Sequence, residues 1–122
     1  MANVATSPLG VYIEHLRRGE LAYQFSPTAN AAVFYPRVVC PFTGSDDLQW
    51  RISKGLGTVY ATTVVTPQKG DPYNVALIDL DEGFQMLSNI IDCDTNDLAV
   101  GMRVQVEFRE VGQLTLPYFR PV

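Results

Sequence analysis

The sequence is poor in cysteine, histidine and charge, and each shortage closes off a class of function. Only two cysteines, Cys40 and Cys93, occur in 122 residues, and they form no CxxC pair. A disulfide is therefore not expected, and both thiols should stay reduced. The single histidine, His15, has no sequence neighbour to act with it as an acid–base or nucleophilic pair, so it reads as an ordinary surface or interface side chain. Charged residues make up only 18% of the chain, and the net charge is −4 with the nine basic residues scattered. That field opposes nucleic-acid phosphates and argues against a nucleic-acid partner. No apolar run approaches the roughly 20 residues of a membrane-spanning helix, and the first residues lack a charged-then-apolar export pattern. A cytoplasmic chain without a membrane partner is expected.

What is present is enough apolar material for one core: 47% of the residues are hydrophobic, at a length typical of one domain. Ser7-Pro8 is a helix start, since Ser caps free backbone donors and Pro suits the first turn. Val11, Tyr12 and Leu16 then fall at helical spacing opposite Glu14, Arg17 and Arg18, with Gly19 as the stop. Residues 1–8 otherwise read as a loose terminus. From Leu21 to Trp50 three prolines and a small polar run break every period, which predicts an irregular arm with short extended pieces and no core of its own.

From Gly55 the pattern becomes β. Thr58 to Thr66 is a β-branched and aromatic run, and Tyr73–Leu80 and Phe84–Ile91 flank the polar turn Asp81-Glu82-Gly83. Val104, Val106 and Phe108 alternate with Arg103, Gln105, Glu107 and Arg109, marking a half-buried strand, and Gly112 turns the chain into a last extended piece from Leu114 to Phe119. Short strands with hairpin signals and no βαβ spacing predict a small antiparallel barrel, which hides its edges better than an open sheet.

The motifs that suggest chemistry fail in their details. Asp92, Asp94 and Asn96 imitate the opening of a calcium loop, but Asp97 and Arg103 stand where the turn glycine and the bidentate Glu are needed. Gly55-Leu-Gly57 precedes a strand, whereas phosphate-binding glycines follow a strand and open a helix. No Ser or Cys lies in a G-x-S-x-G elbow. Phe34, Tyr35, Phe42 and Trp50 crowd into the arm, where packing on the barrel and contact with a protein partner are both consistent with their chemistry. Arg37, Arg51 and Lys54 offer local cationic ground for a small anion.

Taken in order, several segments resemble one family across nearly the whole chain: the zinc-ribbon and OB-fold accessory proteins of acyl-CoA enzymes, often encoded beside thiolases. They are the helix ending Arg17-Arg-Gly-Glu-Leu21, Tyr35-Pro-Arg-Val-Val-Cys-Pro41 with Gly44-Ser45, Trp50, and Gly55-Leu-Gly-Thr-Val-Tyr60. They continue through Pro72-Tyr73, Val75-Ala-Leu-Ile-Asp-Leu-Asp-Glu-Gly83, Gly101-Met-Arg-Val-Gln-Val-Glu-Phe108 and Leu116-Pro-Tyr-Phe-Arg120. The resemblance implies a mainly β fold: a five-stranded OB-fold barrel over residues 51–122, an N-terminal helix in 1–20, and a rubredoxin-like zinc-ribbon arm over 21–50, all in one compact unit.

Members of that family typically carry two CxxC pairs that close a tetrahedral zinc site. Here only Cys40 remains. Thr43 stands at its pair mate, and by residue count Ser26 and Ala29 occupy the other pair. Hydroxyls that stay protonated are poor zinc ligands, so the arm is expected to be degenerate and metal-free, with no cofactor. Its aromatic rings should then hold it to the barrel, each contributing on the order of 2 kcal/mol.

The function implied by the resemblance is that of a non-catalytic accessory subunit that docks onto a thiolase-like or related acyl-CoA enzyme. On this reading Phe34, Tyr35, Phe42 and Trp50 contact the partner, Arg37, Lys54 and Arg120 meet the phosphates of a CoA thioester, and no residue binds metal or catalyses a reaction. Self-association is compatible with the sequence. The alternatives are a single-stranded nucleic-acid-binding OB protein, and a small enzyme using His15 with a distant carboxylate.

Overall fold

The computed structural model describes residues 7–122 except residue 95; the loose terminus expected over the first residues lies, for 1–6, outside the described residues. Helix α1 runs Pro8–Arg17. The Ser7 hydroxyl accepts the Gly10 N–H at 3.1 Å, satisfying one of the donors a helix leaves free at its start. At the other end the N–H of Gly19 reaches back to the Leu16 carbonyl at 3.0 Å. Leu16 is the side chain that α1 buries.

The arm is more regular than its sequence predicts. Strands β1 (Leu21–Ser26), β2 (Ala31–Val33) and β3 (Gln49–Ser53) form an antiparallel sheet in the order β2-β1-β3. The expectation of an irregular segment is corrected here, for a physical reason. Leu21, Ala22, Tyr23 and Gln24 are all buried, so β1 is covered on both faces and shows no alternation of apolar and polar residues. As expected, the arm has no separate core: Leu21 and Tyr23 belong to the cluster that fills the barrel.

Strands β4 (Leu56–Val65), β5 (Tyr73–Leu80), β6 (Gln85–Ser88), β7 (Arg103–Val111) and β8 (Leu114–Pro121) form an antiparallel sheet in the order β6-β5-β4-β7-β8. The sheet curls until its edges meet: Ile90 bridges Phe119 in parallel, with Ile91 N–H to Phe119 C=O at 2.7 Å and Phe119 N–H to Asn89 C=O at 3.1 Å. Away from that seam it is a half-barrel. This closure also shortens the strand expected over Phe84–Ile91 to Gln85–Ser88, because the chain leaves β5 to bond β8. Gly83, at φ 96°, makes the β5–β6 turn, with Leu80 N–H to Phe84 C=O at 2.8 Å.

The core holds Val59, Ile78, Leu80, Phe84, Met86, Ile90, Val104 and Phe119 besides the two arm residues. A register shift between Val59 and Ala61 sets Tyr60 outward, and β4 and β5 continue beyond it as a two-stranded ribbon, since β7 pairs β4 only at Leu56–Thr58. Among the described residues no helix is long and apolar enough to cross a membrane.

Candidate functional site

The arm meets the barrel through a stack of rings. Tyr23 of β1 stacks on Phe84 at 4.8 Å between centroids, and Phe84 stacks on Phe34 at 4.9 Å. Tyr12 of α1 meets Phe34 edge-on at 5.6 Å. Such pairs add to the burial energy of the rings and fix their orientation. The stack carries order from the core to the surface, where two clefts open on either side of Phe34.

The first cleft, about 330 Å³, is lined by Phe34, Phe84, Phe42, Arg37, Val33 and Gln85 among others. Arg37 is placed there by a residue whose role the sequence conceals. The side chain of Gln24, buried in β1, accepts the Arg37 N–H at 2.7 Å and donates to the Arg37 carbonyl at 2.8 Å. The guanidinium itself is exposed and, among the described residues, makes no ion pair. Phe42 stands at the mouth with 68% of its surface exposed.

The second cleft, about 300 Å³, lies between α1, the arm and strands β6 and β8, with Leu9, Tyr12, Tyr35, Leu87, Pro117 and Tyr118 on its walls. Leu9, Tyr35 and Leu87 are each more than half exposed. Burial, and then the nearby Tyr35, push the Tyr12 hydroxyl up to about 12. It stays neutral at any working pH.

The other sequence-derived candidates do not gather at these clefts. Lys54 lies at the β3–β4 turn, where Glu82 accepts its backbone N–H at 2.9 Å and the Ser53 hydroxyl at 2.7 Å. Arg120 sits on the outer face of β8, 3.6 Å from Glu107, which also takes Arg109 at 2.7 Å. Trp50, on β3, faces His15 at 6.0 Å rather than the barrel. Packing of all four aromatics on the barrel is thus corrected: Phe34 packs there, half-exposed Tyr35 reaches β6 only through its hydroxyl, which accepts the Leu87 N–H at 3.4 Å, Phe42 and Trp50 do not pack there, and Leu21 and Tyr23 of β1 enter the core in their place. Arg51 lies 3.7 Å over the Phe25 ring.

Groups that might have done chemistry are engaged elsewhere. His15 contacts Glu20 at 3.0 Å, and Glu20 is held below its ordinary range by His15 and then by Arg18. In the loop that imitates a calcium site, Asp94 accepts the Asn96 N–H and Asp92 faces Arg109 at 3.5 Å. The four positions that the resemblance assigns to zinc cysteines hold one thiol, two hydroxyls and Ala29, which has no donor atom; that set does not fit the metal.

Cys40 is nonetheless unusual. Burial, the largest single influence, pushes its thiol up. The Ser26 and Thr43 hydroxyls with the backbone N–H groups of Phe42 and Thr43 outweigh it and bring the value from 9.0 to about 7. Cys93 moves the other way, raised by burial and then by Asp97 and Asp94. Thiolate absorbance should therefore rise in two separate steps with pH, and Cys40→Ser should abolish the lower. Because the folded value is depressed, the thiolate contributes stability that is present above the unfolded value near 9.0 and fades as pH falls through about 7. A single step near 9.0 in a thiolate titration would contradict this.

Comparison with known proteins agrees with this architecture. Residues 50–109 match the family described as ChsH2, C-terminal OB-fold domain. A DUF35 domain-containing scaffold protein of Methanocaldococcus jannaschii is 33% identical over 104 residues, covering 74% of each chain. A probable enoyl-CoA hydratase alpha subunit of Thermomonospora curvata is 35% identical over 91 residues, which is 70% of this chain and only 28% of that subunit's length. Among solved structures, a chain of the Ltp2-ChsH2(DUF35) aldolase superposes with a TM-score of 0.82 at 28% identity, covering 98% of both chains. A barrel of this order, and a DUF35 relative 33% identical and matched over 74% of each chain, lead to one assignment: the chain belongs to the DUF35 family, with an OB-fold domain.

Proposed function

We propose that this chain is a non-catalytic accessory subunit that docks onto an acyl-CoA-processing enzyme, of the thiolase-like or a related class, in the cytoplasm. The observation that carries the reading is the apolar cleft walled by Leu9, Tyr35 and Leu87, since a contiguous exposed apolar surface beside rigid aromatics is what a protein partner covers. The names of relatives, a scaffold protein, a probable enoyl-CoA hydratase alpha subunit and a chain of an aldolase, support it. So does the engagement of the acid–base groups in internal pairs. On this reading Phe34 and Tyr35 contact the enzyme directly, Phe42 and Trp50 extend the contact along the arm, and the arm, helix and barrel act as one unit.

Within that complex Arg37 is the cation best placed to meet the phosphates of a CoA thioester, with the exposed Phe42 ring beside it for the adenine. Lys54 and Arg120 would have to act from other faces of the barrel. The nucleic-acid alternative draws no support from the charges, because Arg103, Arg109 and Arg120 are each matched by a carboxylate.

The test is reconstitution with a thiolase-like enzyme of the same organism. Co-elution of the two on a sizing column is expected, and Leu87→Glu should abolish it while leaving the melting transition of the free chain unchanged. CoA should raise the melting temperature of the complex, and Arg37→Ala should weaken CoA binding about tenfold. Separate elution, with tight binding of a single-stranded oligonucleotide instead, would overturn the reading.

A further inference from the structure

The mismatch between this arm and the zinc site that the resemblance implies leads to a further point, which does not depend on the docking reading. Two turns face each other across the arm. The first follows β1 and carries Thr28 and Ala29, with the Ala29 N–H donated to the Ser26 hydroxyl at 3.1 Å. The second runs from Cys40 to Gly44, closed by the Gly44 N–H to the Cys40 carbonyl at 2.8 Å, with Gly44 at φ 73°. These are the places to which the resemblance assigns two metal-binding pairs.

A hydrogen-bonded link and a buried contact beneath it join the turns here. The inner one is a buried contact: Ser26 is 0% and Cys40 is 1% exposed, and the Ser26 hydroxyl, which accepts the Ala29 N–H at 3.1 Å, is one of the groups that hold the Cys40 thiol down. The outer link is the Asp47 carboxylate. One of its oxygens accepts the Thr28 hydroxyl at 2.6 Å and the other accepts the Ser45 hydroxyl at 2.6 Å. The Thr43 and Ser45 hydroxyls lie 2.9 Å apart, so the chain of contacts runs from the first turn to the second.

We propose that, in place of the zinc cross-link that the resemblance implies, the Asp47 carboxylate ties the first turn to the second over the buried Ser26–Cys40 contact, and so sets the arm without metal. Ser26 and Asp47 are thereby positioning residues for the segment 34–42, which hangs between the turns and carries Arg37 and Phe42 into the first cleft. A metal ion joins two loops by attracting four deprotonated donors to one point. The carboxylate performs the same joining with two short charge-assisted bonds, and the buried thiol–hydroxyl contact closes the space beneath it.

The experiment measures amide hydrogen exchange on the full chain. In the wild-type protein a chelator should leave exchange at Ala29, Cys40 and Gly44 unchanged. Ser26→Ala and Asp47→Asn should each accelerate exchange at those amides by about tenfold, with the barrel amides of Val59 and Ile78 unaffected. A combined S26C/A29C/T43C variant should gain the tetrahedral thiolate spectrum of bound cobalt, and zinc should return the protection that D47N removes from it. The proposal fails if a chelator loosens the wild-type arm, if neither single substitution changes arm exchange, if exchange rises equally in the barrel, or if zinc binds the cysteine variant without restoring protection.

Discussion

Phe119→Ala should lower the unfolding free energy by about 3–5 kcal/mol, a large part of what a domain of this size possesses. Phe119 is the largest wholly buried side chain, at 0% exposure, and its main chain forms the parallel bridge that joins the two edges of the curled sheet. Removing the ring leaves a void in the core cluster it shares with Val104 and Ile90, and the seam, bonded on both sides, is poorly able to collapse into it. Phe119→Leu keeps most of the volume and should cost about 1.5 kcal/mol or less. Urea unfolding provides the measurement: the midpoint should fall steeply for the alanine variant with little change in slope. A shift no larger than that of an exposed site such as Leu114→Ala would show that the seam does not hold the barrel.

The second large effect is expected at Asn74, where a polar side chain replaces a piece of strand. Its carbonyl oxygen accepts the Ile90 N–H at 2.7 Å and its amide donates to the Ile90 carbonyl at 2.8 Å, so one side chain satisfies both backbone groups of a residue only 3% exposed. Asn74→Leu leaves both unpaired in the interior, at about 1–3 kcal/mol each. Asn74→Asp makes a sharper experiment. The introduced carboxylate would face the Ile90 carbonyl, raising its folded pKa above the unfolded value. Only the protonated form restores the missing donor, so this variant should gain stability as pH falls, against the usual trend for a carboxylate. If its melting temperature instead dropped monotonically with acid, the twofold role of Asn74 would be wrong.

How far the sequence could be read follows from how each element is buried. β4 was visible because its β-branched run, Thr58 to Val65, makes the same statement at every position, and β7 because Val104, Val106 and Phe108 alternate with polar neighbours. β1 was hidden because it is covered on both faces and ends against Pro27, so it lacks both the alternation and the polar boundary by which strands are recognised. β6 was predicted too long, since nothing in Asn89-Ile90-Ile91 states that it bonds a strand some thirty residues onward.

The candidate site divides in the same way. Phe34, Phe42 and Arg37 are neighbours in sequence, and the cleft gathers them. Lys54 and Arg120 were grouped with Arg37 on charge alone, and charge carries no record of which face of a sheet it occupies. Gln24 gave one faint signal, a lone amide in the apolar run Leu21-Ala-Tyr-Gln-Phe25. Asp47 gave none, because one carboxylate in the polar stretch Ser45-Asp46-Asp47 looks like any solvated loop.

The seam at Phe119 also bears on the order in which the molecule is made. The helix that leads these elements packs against β8, the last of them, and the ring that completes the core is added after every other core side chain. A nascent chain on the ribosome accordingly cannot consolidate piece by piece from its amino-terminal side. Until β8 is released the curled sheet has no clasp, and the apolar faces of β4 and β5 wait unshielded, within reach of chaperones.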